Sequence, residues 1–505
     1  MDKASGQNFL QRNLFLILCA LLCLPLFFLN IKTSHDWGDD FAQYILQAKN
    51  IVEHKPQTQT GYVYNENLPV IAPPAYPAGF PFMLSVVYFV KGNSIRAFNY
   101  LITLLLFFLC MTMFSFFRRH FSKLTALFLV LIFAYNPWTL SFKTEILSDF
   151  PYTLFFLLTA ILYMYEKNSN LTFALTGISC GIMMSIRGVA VVFLIAVLIH
   201  QVYLFIKAKK SGKLLRLFFQ KPLILFGSMM VTYILFNVLL VKVPTGKFLE
   251  FYSHAYEKYS VGEIILQNLN YYVDVFGGYF DPQLEKWTFI TFVSKSFSLA
   301  LLLIGMLYSL LHKRSFIDLL VWIYILLFIV YPYSAGGFRF ILPIFPFLLY
   351  YMVTGLKQIH LGIHANRKVL VIAGGLFVLL QYQHSISKII AQQPSTLQGP
   401  QEAGSIETFE YIRQHIPENS IIIFKKPKAL ALYTGRKTAS TAYYQSSSEV
   451  KNMVTLLGAG YLLLNHDNDP DLGDEPMKKY TDDFKKEVDL IWQNNKFLLY
   501  KRKEL

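Results

Sequence analysis

The feature that most limits what this chain can fold into is a long succession of apolar runs, each near the length that crosses a lipid bilayer. A spanning helix needs roughly 20 mostly apolar residues, because each adds about 1.5 Å across a hydrocarbon core of about 30 Å. About eleven such segments can be marked out: 13–31, 98–117, 124–141, 150–165, 171–186, 188–206, 222–241, 290–311, 316–331, 340–356 and 369–382. Only 15% of the 505 residues are charged and 54% are hydrophobic, whereas soluble domains run near a quarter charged. The net charge of +15 does not point to nucleic acid. A nucleic-acid surface gathers its basic residues on one polar face, and these sit in short clusters between apolar runs.

Those clusters set the orientation. Arg118-Arg119, Lys207 with Lys209-Lys210, Lys313-Arg314 and Arg367-Lys368 fall on alternate loops, on the same side as the N-terminus. By the positive-inside rule that side is cytoplasmic. Residues 32–97, 242–289 and everything beyond about residue 384 then lie outside. The first apolar run is long for a cleaved signal core and lacks a small-x-small site after it, so it reads as a membrane anchor. Cys19, Cys23, Cys110 and Cys180 lie inside apolar runs without metal spacing and read as small core hydrophobes. The expected fold is a polytopic α-helical membrane protein over residues 1–383. A small soluble α/β domain follows at 392–505, where short β-like runs (420–424, 461–464, 497–500) alternate with helical stretches such as 406–415.

Acidic residues beside apolar runs are costly and therefore informative. The stretch "HDWGDDFAQYILQAKNI" carries Asp36, Asp39 and Asp40 directly after the first span. From Asp40 onward, Phe41, Tyr44, Ile45, Ala48, Ile51 and Val52 recur at helical spacing, with Gln43, Gln47, Lys49 and Glu53 opposite. That pattern predicts an amphipathic helix on the membrane surface, with Asp39 at its N-cap and Asp40 in its first turn. Glu145 and Asp149, four apart in "FKTEILSDFPYT", would share one face of a helix at the outer end of the third and fourth spans. Two lone arginines, Arg187 and Arg339, break the positive-inside pattern at outer turns. Each suits either an ion pair with an acidic residue or a phosphate site, since guanidinium matches phosphate oxygens as a fork. The tyrosine-rich loop after residue 250 reads as an interfacial belt or as a sugar pocket lined by His254, Tyr256 and Tyr271.

Carboxylates and arginines from four outer positions suit a transfer from a lipid-phosphate donor, with a carboxylate taking the acceptor proton. A transporter for a lipid-linked anion is the alternative class, although it would place its charges near the bilayer midplane on repeated, broken helices. Asp36, Asp39 and Asp40 could also supply oxygen ligands to a divalent cation, which a phosphate leaving group neutralised by arginines does not require.

The motifs also carry a resemblance. The acidic pair, Pro-Pro-x-Tyr-Pro-x-Gly with Tyr76 at its centre, "TEILSDFP", "GISCGIMMSIRG" and "FRFILPIFPF" occur in that order. The chain resembles GT-C class membrane glycosyltransferases, in particular bacterial relatives of protein O-mannosyltransferases and of the lipid A aminoarabinose transferase. "FKKPKALALYTGRKT" is similar to a C-terminal domain of some bacterial members. The resemblance implies inverting transfer from a polyprenyl-phosphate sugar to a lipid, glycan or protein acceptor at the outer face of a bacterial inner membrane. It makes Asp39, with Asp40 beside it, the catalytic carboxylate and Asp149, with Glu145, the second acidic site. Arg187 and Arg339 are expected near the donor phosphate, and Tyr76 on the substrate side.

Overall fold

A computed structural model of the chain describes residues 9–64, 73–165, 169–210, 215–239, 259–280, 288–332, 336–359, 367–391, 397, 399–441, 446–466 and 469–503. Helix α1 (Phe9–Cys23) continues into a 3-10 turn at Leu24–Phe27, and α2 (Asp39–Val52) and α3 (Gly79–Lys91) follow outside the first apolar run. Then come α4 (Ile95–Phe117), α5 (Lys123–Ala134), α6 (Pro137–Phe142), α7 (Asp149–Tyr165) and α8 (Asn170–Ile186). The membrane part continues with α9 (Val191–Lys210), α10 (Leu215–Ile234), α11 (Val261–Tyr279), α12 (Thr288–His312), α13 (Phe316–Ile329), α14 (Phe345–Gln358) and α15 (Arg367–Ala391).

Among the described residues, three helices are long and apolar enough to cross a membrane: Ile95–Phe117, Gly188–Lys207 and Phe292–His312. Six further apolar helices are shorter, so the expected count of about eleven is not reproduced by length alone. One reason is local. The run 124–141 is broken where the Asn136 side chain accepts the Trp138 amide at 2.8 Å and Pro137 opens a new short helix. Proline lacks the amide that would continue the preceding helix. Phe28, Phe89, Val202, Leu223 and Leu303 nevertheless stand exposed on these helices. Helices apolar on their outer faces as well as inside are suited to lipid. Small residues bring them together: a Cβ on Gly305 would lie 1.8 Å from the Tyr351 carbonyl oxygen, and one on Gly355 2.0 Å from that of Leu301.

Helix α2 differs from the sequence expectation. Gln43, Gln47 and Asn50 on its polar face are as buried as Phe41 and Ile45 on the other. Gln47 explains why: it donates to the Tyr76 carbonyl and accepts the Tyr76 amide, both at 2.9 Å, while Gln43 donates to the Pro74 carbonyl. The helix is a buried strut between protein layers rather than a surface float.

Helix α16 (Ala403–His415), strand β1 (Ile421–Ile423), helix α17 (Pro427–Thr434), β2 (Lys437–Ala439), α18 (Ser447–Leu456), β3 (Tyr461–Asn465), α19 (Glu475–Asp483), β4 (Val488–Gln493) and β5 (Phe497–Arg502) form the C-terminal α/β unit. The sheet order is β2-β1-β3-β5-β4, with β1 parallel to β2 and β3, and β5 antiparallel to β3 and β4. This unit sits on the segment after the first span. Tyr62 bridges to Thr438 at the edge of β2, and the Gly61 and Thr438 backbones exchange hydrogen bonds through Val63. Trp37, almost fully buried, meets Phe409, Phe424 and Phe497 edge-on at 5.7–6.3 Å. The Gly399 backbone passes so close that a Cβ there would lie 2.6 Å from the His35 carbonyl oxygen.

Candidate active site

The end of α8 places the first arginine. Its last residue is Ile186, and Arg187 turns extended (φ −148°, ψ 135°) before a 3-10 turn at Gly188–Ala190. The second comes from a reversal: Gly336 adopts φ +94°, where only glycine is unstrained, and the 3-10 turn Gly337–Phe340 then carries Arg339. The Tyr271 hydroxyl braces that turn by accepting the Gly337 amide at 2.9 Å. Tyr271 therefore supports Arg339, whereas His254 and Tyr256 lie outside the described residues.

Both arginines converge on Asp149, the first residue of α7, whose side chain is almost fully buried. Arg187 Nη1 donates to its Oδ1, and Arg339 donates to its Oδ2 through Nε and Nη2, each at 3.2 Å. Asp149 is thus a clasp between guanidinium groups. Arg339 Nη2 also lies 3.9 Å from Asp40 Oδ2, which joins this clasp to the first-loop pair. Glu145 does not join it. Residues 143–148 are a turn rather than helix, so the four-residue spacing gives no shared face. Glu145 instead reaches His35 Nε2 at 3.3 Å, and Asp36 reaches His35 Nδ1 at 2.9 Å.

Asp39 and Asp40 face different partners. Gly38, not Asp39, is the N-cap of α2. Asp39 Oδ1 accepts the amides of Lys428 (3.0 Å) and Ala429 (3.1 Å), the second and third residues of α17. It therefore caps a helix that lies hundreds of residues away and has no capping side chain of its own. Lys428 Nζ lies 3.6 Å from Asp39 Oδ2 and 3.6 Å from Asp40 Oδ1. The Tyr76 hydroxyl donates to Asp40 Oδ1 at 2.6 Å and accepts from Lys428 Nζ at 3.1 Å.

Burial lifts the Asp39 carboxyl above the usual aspartate range, against the opposing pull of Lys428 and the Ala429 amide. For Asp40 burial acts the same way, but Lys428, Arg339 and the Tyr76 hydroxyl outweigh it and hold its pKa low. Neighbouring carboxylates with pKa values driven apart can divide proton transfer and charge placement between them.

A family model described as dolichyl-phosphate-mannose-protein mannosyltransferase matches residues 74–240. Among curated proteins no sequence match is found. Solved structures match more broadly. ArnT from Cupriavidus metallidurans bound to undecaprenyl phosphate is 11% identical, with a TM-score of 0.54 over 97% of this chain and 98% of that one. The archaeal oligosaccharyltransferase AglB from Archaeoglobus fulgidus, in complex with an inhibitory peptide and a dolichol-phosphate, is 13% identical, with a TM-score of 0.55 over 91% of this chain and 70% of that one. The same oligosaccharyltransferase in a complex with Zn and sulfate is 13% identical, with a TM-score of 0.54 over 89% of this chain and 68% of that one. The fold is that of the GT-C class.

Within this GT-C fold, His35, Asp36 and Glu145 bring potential metal-ligand atoms within 4.8 Å of one another. Their arrangement fits an ion-paired histidine better than a metal ion, because the carboxylates approach opposite nitrogens of one imidazole. Hydrogen bonding and charge from Asp36, with the Glu145 charge, outweigh burial and raise the His35 pKa, and Asp36 is held down at about 2 despite burial. The trio expected from sequence, Asp36 with Asp39 and Asp40, does not converge: Asp36 turns to His35 while the other two face Lys428. His35, Trp37 and Lys428 were not legible as site residues. The first two lie inside the opening acidic stretch, and Lys428 has only Pro427, a helix-opening residue, as a signal beside it.

Proposed function

We propose that the protein is a membrane glycosyltransferase that moves a hexosyl or pentosyl unit from a polyprenyl-phosphate donor to a hydroxyl of a lipid, glycan or protein acceptor. The transfer inverts the sugar carbon and takes place on the extracytoplasmic side of a bacterial inner membrane. The N-terminus is then cytoplasmic and the C-terminal α/β unit lies outside. One observation carries the reading: Arg187, Arg339, Asp149 and Asp40, from separate stretches of chain, meet in a run of contacts no longer than 3.9 Å. The undecaprenyl phosphate of the ArnT complex and the dolichol-phosphate of the AglB complex support a lipid-phosphate donor.

Each guanidinium carries five N–H donors in a planar fork. Asp149 engages one nitrogen of Arg187 and two of Arg339, and the remaining donors suit phosphate oxygens. Asp149 is a positioning residue that holds the forks in place. Asp39, the more basic of the pair, takes the acceptor O–H proton as the oxygen bonds to the sugar carbon. The bond from that carbon to the phosphate oxygen breaks, and its electron pair leaves on the lipid phosphate. Arg187 and Arg339 neutralise the charge developing there without having to reorient, which is where fixed charges lower a barrier most. Asp40 ties this machinery together through Tyr76 and Arg339. No divalent ion is required.

Purified protein in lipid, given a polyprenyl-phosphate sugar and an acceptor, tests the assignment. Asp39→Asn should retain donor binding and lose turnover about 10²- to 10⁴-fold. Wild-type turnover in that variant would remove Asp39 as the base. Movement of the lipid across sealed vesicles without covalent transfer would replace the reading with transport.

A further inference from the structure

The α/β unit does more than cover the membrane part: it inserts a charged side chain between the two first-loop carboxylates. The Lys428 side chain is 1% exposed, and its ammonium lies 3.6 Å from a carboxylate oxygen of both Asp39 and Asp40. The Tyr76 hydroxyl is at 3.1 Å, and the ammonium lies 5.1 Å from the Tyr76 ring centroid and 5.9 Å from that of Tyr62. A divalent ion bound to both carboxylates would need to lie about 2.0–2.6 Å from their oxygens. That volume is taken up by the ammonium.

We propose that Lys428 is a positioning residue of the transfer site, a resident cation that holds Asp39 and Asp40 in place where a divalent ion would otherwise be needed. The proposal rests on the reading of Asp39 and Asp40 as the reacting pair. Adjacent carboxylates facing a common space repel, and without a neutralising charge one of them protonates or swings away. Lys428 removes that repulsion from one side, while the backbone amides of Lys428 and Ala429 fix the Asp39 orientation from the other. The placement does not depend on a long flexible reach. Pro427 starts the helix, Thr438 Oγ1 donates to its carbonyl at 2.6 Å, and the Asp39 carboxylate caps the same turn. Trp37 and the Tyr62–Thr438 bridge dock the whole unit on the first loop. The C-terminal unit is thereby part of the active site rather than an appended binding module.

A lysine that merely fastened two layers would give the same contacts, so the test must read chemistry. Full-length Lys428→Met keeps the backbone amides and most of the side-chain volume while removing the charge. It should remain folded by size-exclusion profile and bind the lipid-phosphate donor with KM within about threefold. Its kcat should fall about 10- to 100-fold, the range for a charged hydrogen-bonding partner. Wild-type transfer should be unaffected by EDTA, whereas Mg²⁺ or Mn²⁺ should stimulate the Met variant, whose carboxylates are open to an ion. Lys428→Arg, which keeps the charge, should recover part of kcat and remain indifferent to EDTA. Wild-type kcat in Lys428→Met, or loss of wild-type transfer on adding EDTA, would overturn the proposal. If the Met variant fails to fold, wild type and Lys428→Arg in EDTA still decide it. Full transfer by Asp39→Asn and Asp40→Asn would instead remove the underlying reading of the pair, whatever Lys428 does.

Discussion

Trp37→Ala is the perturbation that most directly separates a docked C-terminal unit from a loosely attached one. Trp37 is 2% exposed, and its ring meets Phe424 at 5.7 Å, Phe497 at 6.0 Å and Phe409 at 6.3 Å, all nearly perpendicular. Truncating a buried tryptophan to alanine costs about 3–5 kcal/mol from lost transfer energy and the cavity left behind. Each edge-on aromatic contact contributes about 0.5–1.5 kcal/mol, so three of them account for much of that figure. The indole Nε1 has no hydrogen-bond partner, so no polar term is lost with the ring. The cost should fall on the docking of the α/β unit, because Trp37 touches α16, the residue after β1, and β5 rather than a transmembrane helix. Limited proteolysis of the protein in lipid reads this directly. Trp37→Ala should expose cleavage sites in residues 32–64 and at the unit's entry, with transfer activity falling in parallel and the membrane helices staying intact. Trp37→Phe, which keeps a ring, should behave between alanine and wild type. An unchanged cleavage pattern together with unchanged activity in Trp37→Ala would refute the docking argument.

Other consequences follow from the same contacts. Arg187→Lys and Arg339→Lys keep the charge but lose the planar fork, and each should lower kcat/KM for the lipid-phosphate donor about 10- to 100-fold in steady-state assays. Because burial lifts the Asp39 carboxyl and only its ionised form accepts a proton, activity should rise with pH through a pKa above the ordinary aspartate value and fall below it. Lys428, Lys426 and the Ala429 amide favour the charged form while Asp40 opposes it, so removing the Lys428 charge should move that acidic limb to higher pH. Gly399 has φ +59° and no room for a Cβ beside the His35 carbonyl, so Gly399→Ala should lower the thermal midpoint of the full-length protein.

The membrane character was readable because lipid as a solvent imposes a coarse rule on composition, and long apolar runs obey it. Where the rule becomes local, it failed: Asn136-Pro137 splits one apolar run into α5 and α6 without any change in hydropathy. Arg187 and Arg339 were legible because a lone cation in an apolar stretch has few cheap explanations, and they meet on Asp149. Glu145 was misplaced because the start of α7 decides its direction, and helix ends are poorly encoded by periodicity. Asp39 looked like the cap of its own helix because an aspartate before an apolar run ordinarily is one. Its true capping partner, α17, lies 389 residues away, a distance at which sequence spacing carries no information. Lys428 was hidden for the same reason, as one of several lysines in a charge-rich stretch.

The central claim is covalent transfer from a lipid phosphate. Purified protein reconstituted in lipid should be offered polyprenyl-phosphate sugars in parallel with the corresponding nucleotide sugars, and the product's anomeric configuration read by NMR. The account predicts transfer from the lipid-phosphate donor alone, with the configuration inverted and the reaction abolished in Asp39→Asn. Transfer from a nucleotide sugar, a product of retained configuration, or no covalent product from any lipid-phosphate sugar would contradict it.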